Sequence, residues 1–424
     1  MSPTTTVFSK VAFIGRPWPV PLGDLPTPLL AVDRRALDHN VEAMAAWCRR
    51  AGVDLAPHGK TTMAPEIWRQ QIAAGAWGIT VATPYQAAIA REAGIERVIL
   101  AGTTFAPDAL RGLVEPGCDV VMWVDSVEAV RIVDGALGVA GASRKLPVLV
   151  EVGATGARTG VRTIEAGLDV ARAVRDADHL VLAGVAGYEA ALSHDIDGAS
   201  LQRVDDYLAT LIEFRDLLDG DSFAEWLALG GDVVITAGGS TYFDRVVEAL
   251  SFRHDPEGVR GVRTRVVLRS GSYVTHDHGH YDRVTPFGAE SARVPEGVRF
   301  EPALTLWASV LSRPEPGLAL LNIGRRDTSD DEGFPVLLEV HRRIDGGFHR
   351  VDGATEGAVF TGLNDQHAFV RVPEPSPLEV GDLVRLGISH PCTTLDRWSE
   401  IAAFSESDLV SGLPVVDGVV ATRF

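Results

Sequence analysis

The chain has 424 residues, of which 46% are hydrophobic, and a formal net charge of −18. A balance this acidic excludes nucleic acid and anionic membranes as partners, since both would repel it. Three cysteines, Cys48, Cys118 and Cys392, are too few and too odd in number for a disulfide framework and suit a reducing cytoplasm.

Residues 1–27 are rich in Thr and Pro and read as an extended lead-in that packs on a later β-domain. They lack an apolar core between a basic start and a small-residue cleavage site, so no signal peptide is expected. No apolar run approaches the length of a membrane span. Short apolar strands then alternate with helical patterns. Leu29 to Asp33 reads as a strand and Arg35 to Ala51 as a helix; Asp54 to Pro57 leads into Lys60. Strands follow at Gly78 to Ala82, Arg97 to Gly102, Asp119 to Val124, Pro147 to Val152, Leu180 to Val185 and Asp232 to Thr236. Each is short and rich in β-branched residues, as buried parallel strands are. About eight βα units over roughly 240 residues favour a closed (β/α)₈ barrel over an open sheet. The barrel is assigned to residues 28–280, with Arg263 to Asp277 as a long last strand.

Residues 281–424 change character, with alternating strands, Gly turns and Pro punctuation. Strands are expected at Leu304 to Leu311, Leu318 to Ile323, Pro335 to Val340, Ala368 to Val372 and Leu383 to Leu386. Arg325 to Gly333 is a polar loop. The fold class is therefore α/β: a (β/α)₈ barrel with a C-terminal β-domain.

Four segments carry chemistry. In Pro57-His58-Gly59-Lys60-Thr61, a lysine stands at the C-terminal end of a strand early in the barrel. An amine there can form a Schiff base with a carbonyl cofactor if its surroundings lower its pKa. Gly238-Gly239-Ser240-Thr241 follows a late strand and precedes a helix, where backbone N–H groups can receive a phosphate. Arg158, in Ala157-Arg158-Thr159-Gly160, follows another strand and can reach a cofactor's phenolate oxygen. His390-Pro391-Cys392, on a segment read as extended, offers an imidazole and a thiolate two residues apart, a donor pair that favours zinc over magnesium. Two further sets stay open. Thr275-His276-Asp277-His278-Gly279-His280 is either a metal cluster or a lining of the active-site mouth or a subunit interface. Asp365-Gln366-His367 is either a turn or a polar set reaching a neighbouring subunit.

Together these residues resemble the D-threonine aldolase and D-serine dehydratase family, over nearly the whole chain from Thr27-Pro28-Leu29 onward. The family's lysine motif, Pro-His-x-Lys-Thr, stands here as Pro57 to Thr61. Its Arg-x-Gly segment stands as Arg158-Thr159-Gly160, its phosphate turn as Gly238 to Thr241, and its acidic-Gln/Glu-His segment as Asp365 to His367. Its metal motif is His-x-Asp in the aldolases and His-x-Cys in the dehydratases, and His390-Pro391-Cys392 resembles the second. Two departures stand out: Lys60 is followed by Thr61-Thr62-Met63, and Arg269 occupies a place reminiscent of the alanine racemases.

The resemblance implies an alanine-racemase-type barrel and a pyridoxal 5'-phosphate cofactor on Lys60, with Lys60, His58 and Arg158 as catalytic candidates. Tyr188, Gly238, Gly239, Ser240, Thr241 and Tyr273 join Lys60 and Arg158 as cofactor contacts. Zinc, or another divalent ion, is expected on His390 and Cys392. The implied activity is dehydration of a D-3-hydroxy amino acid to a 2-oxo acid and ammonia. The alternatives are an aldolase that releases glycine and an aldehyde, and a non-catalytic cofactor carrier. A homodimer is expected, each pocket completed by the partner's β-domain.

Overall fold

A computed structural model describes residues 18–258, 261–289, 291–293, 297–410 and 412–424, the side chains of residues 406–410 excepted. Among them, eight parallel strands form one sheet: Asp54–Leu55, Ile79–Val81, Arg97–Leu100, Asp119–Val124, Leu146–Val152, Leu180–Gly187, Val233–Ala237 and Thr264–Leu268. Each strand from Ile79–Val81 onward pairs with the next, and Thr264–Leu268 returns to Asp54–Leu55. The last seam is closed by the His58–Thr80 bridge and by Thr80 N–H donating to Pro57 O at 2.9 Å. The result is a closed (β/α)₈ barrel.

Its helices begin where the sequence supplies caps. The side chains of Thr83, Ser126, Thr163 and Asp197 accept the N–H of Gln86, Ala129, Ala166 and Ser200, satisfying donors that the first helical turn leaves free. A small inner core of Ala56, Ile99, Val121, Trp123, Leu149, Ala183, Val234 and Val267 fills the barrel. The larger core lies between strands and helices and continues into the second domain; each such Val, Leu or Phe contributes ~1.5–3 kcal/mol on burial. No helix among the described residues is long and apolar enough to cross a membrane.

The second sheet has eleven strands among the described residues. Here the structure corrects one expectation. Leu29–Asp33 is not a barrel strand. It lies in the β-domain, antiparallel to Leu304–Trp307 and parallel to Ala402–Phe404. All five of its residues are buried, so its pattern is that of any central strand and does not reveal which sheet it joins. Val20–Pro21 also pairs in this sheet, against Val415 and Val416.

Other boundaries differ too. The long strand expected over Arg263 to Asp277 stops at Leu268, where Arg269 N–H turns to Gly238 O at 3.0 Å and a short turn, Ser272–Val274, follows. His390 to Cys392 is not extended throughout. Pro391–Leu395 is a helix with Pro at its first position and His390 as its cap residue, a placement that suits proline's fixed φ and missing N–H. The hairpin of Glu400–Val410 and Leu413–Ala421, and the strands Gly347–Arg350 and Val359–Leu363, were not foreseen.

Candidate active site

Lys60 lies in the turn Gly59–Thr61, just beyond the first barrel strand. The end of the turn is held from far away in sequence: Arg423 N–H donates to Met63 O at 2.7 Å, and Met63 adopts a left-handed φ of 43°. The Lys60 side chain stays open to a cleft. The walls of that cleft desolvate its amine and hold it below the ordinary lysine range; Arg158 and Arg269 push the same way, and Cys392 opposes them. His58 is held well below the usual histidine range, chiefly by burial and then by the charges of Lys60, Arg269 and Arg158. It is therefore neutral at neutral pH, and its buried Nδ1 has no partner among the described residues.

Arg158 sits on the loop after Leu146–Val152, its guanidinium 4.4 Å from the centre of the Tyr188 ring, within cation–π range. Thr159 Oγ1 donates to Glu151 at 3.0 Å and Gly160 N–H to Asp125 at 3.0 Å, which fixes the loop. Burial, and then Glu189, push the Tyr188 phenol up to about 12, so it stays protonated. Beneath them Arg269 closes the top of the barrel. Its guanidinium lies 4.7 Å over Trp123 and donates to Thr236 Oγ1 at 2.7 Å and Gly187 O at 2.6 Å.

The glycine turn lies across the cleft and is linked to the lysine through Ser272. Ser272 N–H donates to Ser240 Oγ at 3.3 Å, and its hydroxyl lies 3.8 Å from Cys392 Sγ. The Cys392 sulfur is in turn 3.4 Å from Thr61 Oγ1. His390 Nδ1 stands 2.8 Å from Asp331 Oδ2, and Thr393 Oγ1 donates to both oxygens of that carboxylate, at 3.0 and 3.1 Å. Burial alone would lower His390, but Cys392 and Asp331 outweigh it and bring it up to about 9. Burial would likewise raise the Cys392 thiol, yet His390, Thr61 and Lys60 bring it below its ordinary range. Tyr281 closes this side, its ring 6.2 Å from that of His390. One pocket of one chain thus holds an amine, a guanidinium, a glycine turn and a thiol–imidazole pair.

The family described as "Alanine racemase, N-terminal domain" matches residues 32–229, and the one described as "Putative serine dehydratase domain" matches residues 303–404. The chain thus carries both of these domains and is similar to the alanine-racemase-like pyridoxal phosphate enzymes. It is 29% identical to a D-threonine aldolase of an Arthrobacter species, over 94% of this chain and 92% of that one. A stretch covering 32% of this chain and 36% of the relative is 33% identical to the D-threo-3-hydroxyaspartate dehydratase of a Delftia species. Among solved structures, the D-threonine aldolase of Filomicrobium marinum superposes with a TM-score of 0.75 at 25% identity, over 96% of this chain and 98% of that one. The chain is an enzyme, a lyase.

The residues present fit the family's cofactor. The cleft offers an amine at Lys60 held below the ordinary lysine range and a stacked cation at Arg158. The turn is too close to its neighbours for side chains, since a Cβ on Gly239 would lie 2.9 Å from the Tyr188 ring.

Three expected assignments change. Tyr273 is not in the pocket: it is buried against Phe300, and its hydroxyl accepts from Gln71 Nε2 at 2.9 Å. The turn Ser272–Val274 points it outward into the barrel's helical layer. The amides of Gly238 and Gly239 already donate to Glu189, at 3.0 and 2.6 Å. The metal pair does not need to come from a partner, because Cys392 sits beside Thr61 of its own chain. The open sets resolve as well. His276, His278 and His280 point toward Asp282, Gly387 and Glu332 respectively, and no group of three or more metal ligands exists among the described residues. Asp365 to His367 is an exposed hairpin turn, with Asp365 on Arg326 at 3.3 Å. Sequence reasoning assigned no role to Thr61, Glu189, Ser272, Tyr281 and Asp331. Thr61 had a signal in its place within the lysine motif, and Asp331 in its place within a polar loop.

Two predictions follow from this arrangement. Gly271 lets the loop after the last strand meet the Lys60 turn, because a Cβ there would lie 2.6 Å from His58 O. Gly271→Ala is expected to destabilise the fold by ~1–3 kcal/mol and to lower cofactor retention; calorimetry and visible absorbance would show both. Mixing inactive Lys60→Ala chains with inactive Cys392→Ala chains is expected to restore no activity, even with proven subunit exchange. Recovery on mixing would show that pockets are shared between chains.

Proposed function

We propose that this enzyme is a pyridoxal phosphate- and zinc-dependent dehydratase of a D-3-hydroxy amino acid, yielding a 2-oxo acid and ammonia. The observation that carries the reading is the 3.4 Å approach of Cys392 Sγ to Thr61, which sets a soft donor pair beside Lys60. When bound, the cofactor supplies an electron sink, and a zinc ion on His390 and Cys392 supplies a Lewis acid for the β-hydroxyl.

The remaining work falls to the chain's own residues. Lys60 would hold the cofactor, and its amine, held below the ordinary lysine range by burial, is placed to take the α-proton. Arg158, braced on Tyr188, presents N–H donors to the cofactor's phenolate oxygen. Asp331 holds the His390 ring by its Nδ1 and leaves Nε2 for the metal. In this reading the enzyme works in the cytoplasm as a homodimer.

A second reading, retro-aldol cleavage, is favoured by His58. A neutral imidazole with a free, buried Nδ1 beside Lys60 can take the β-hydroxyl proton. The D-threonine aldolase relative, matched over nearly its whole length, supports the same alternative. A product assay separates the two: D-serine, D-threonine and D-3-phenylserine should each give a 2-oxo acid and ammonia. Glycine and an aldehyde as the main products would establish the aldolase.

A further inference from the structure

One residue that braces the cofactor turn has no role in the chemistry above. Glu189 is fully buried at the end of the strand Leu180–Gly187, one residue after Tyr188. Its two carboxylate oxygens divide between two donors: Oε2 accepts the Gly238 N–H at 3.0 Å and Oε1 the Gly239 N–H at 2.6 Å. Gly238 holds a left-handed φ of +90°, the conformation that turns successive amides to one side. The turn is also tied from below, by Ser270 Oγ donating to Gly238 O at 3.2 Å and Gly239 O at 3.0 Å. The next amides are different. The N–H groups of Ser240, Thr241 and Tyr242 donate to no protein group among the described residues, and the helix Phe243–Leu250 starts directly after them. The Ser240 side chain stays partly open to the cleft.

We propose that Glu189 is a positioning residue of the cofactor site: it occupies the two glycine amides, fixes the turn, and directs the cofactor phosphate to the Ser240, Thr241 and Tyr242 amides. This rests on the pyridoxal phosphate reading of the pocket. A carboxylate suits the task because it offers acceptors on both oxygens. An amide side chain has one acceptor and would set its NH₂ against a glycine N–H. The charge is also answered, since Arg269, fixed by Thr236 and Gly187, bears on Glu189 at the same end of the barrel. Phosphate on the glycine amides themselves would have to displace Glu189 or share its donors with it. On the three following amides it meets unpaired donors and a helix N-terminus.

The test uses the purified holoenzyme and its Glu189→Gln and Glu189→Asp variants. Each is resolved from its cofactor and reloaded with pyridoxal 5'-phosphate or with pyridoxal, which lacks the phosphate. Binding is read from the visible absorbance of the bound cofactor. Glu189→Gln is expected to weaken pyridoxal phosphate binding by on the order of 10- to 100-fold, as for lost hydrogen bonds to a charged group. Its affinity for pyridoxal, and its KM for the amino acid at saturating cofactor, should stay at the parental values. Glu189→Asp, which keeps the charge but is too short to reach both glycine amides, should show the same selective loss. Three results would overturn the proposal. Parental phosphate affinity in Glu189→Gln would mean the carboxylate positions nothing. Tighter binding would mean it competes with the phosphate for the glycine amides. Equal losses for pyridoxal and its phosphate would mean a general loss of structure. If Glu189→Gln does not fold, Glu189→Asp decides, and parental phosphate affinity there would mean that the reach of the carboxylate to the glycine amides positions nothing. A parent chain that binds neither form would overturn the cofactor reading, and this inference with it.

Discussion

Lys60→Ala should lower turnover by ~10²–10⁴-fold, the range expected when a positioned proton-transfer group is removed, and more where covalent attachment is lost as well. The parent protein should absorb in the visible, and borohydride reduction should fix the cofactor on the peptide that carries Lys60. Neither result should be obtained with Lys60→Ala. The fold should not suffer. The side chain opens into the cleft, while the backbone of its loop is held by the Arg423 N–H on Met63 and by the short turn Gly59–Thr61. Stability should therefore stay within ~0.5 kcal/mol of the parent. A Lys60→Ala variant with normal activity would remove Lys60 from the chemistry.

The second large effect is expected at Cys392. With two protein donors, loss of the thiol should weaken metal binding by more than ~100-fold, beyond the ~10–100-fold typical of a residue that only holds a ligand in place. Asp331→Ala, which frees His390 Nδ1, should fall in that smaller range. Chelation and Cys392→Ala should both abolish release of the 2-oxo acid while the visible absorbance of the cofactor persists, because Lys60 and the Ser240 turn are untouched. Competition with a chromogenic zinc chelator measures the affinities. Full activity in Cys392→Ala, or purified enzyme without a zinc-like ion, would remove the metal from the reaction.

Much of the barrel was legible because its strands are apolar on both faces and its helices carry Thr, Ser and Asp caps, as at Thr83, Ser126 and Asp197. Lys60, Arg158 and the 238–241 turn were legible because each follows a barrel strand. What could not be read was contact between distant segments. Nothing local in Leu29–Asp33 distinguishes a barrel strand from a central strand of the β-domain. Nothing in Glu189 announces two glycine amides some fifty residues away; the separation is 49 and 50 positions. Tyr273 was expected in the pocket from the resemblance, but a single short turn at Ser272–Val274 sends it into the helical layer. The metal pair was assigned to a partner on architecture alone, and the geometry of Pro391–Leu395 brings it to its own chain's lysine.

The strand Leu29–Asp33 also dictates when this enzyme can become active. Its partners, Leu304–Trp307 and Ala402–Phe404, lie hundreds of residues downstream, and the Lys60 loop itself is tied to Arg423. During synthesis the barrel segments leave the ribosome first, but the sheet beside them must wait for Ala402–Phe404, a topology of very high contact order. Until then Leu29–Asp33 is an apolar strand with both edges open, the kind of surface that recruits chaperones or other chains. The same dependence means that residues 303–404 do not form a self-sufficient folding unit. Cut out, they would expose the edges that Leu29–Asp33 covers, and the amine and the thiol only come together once the segment with Cys392 has been made and folded back.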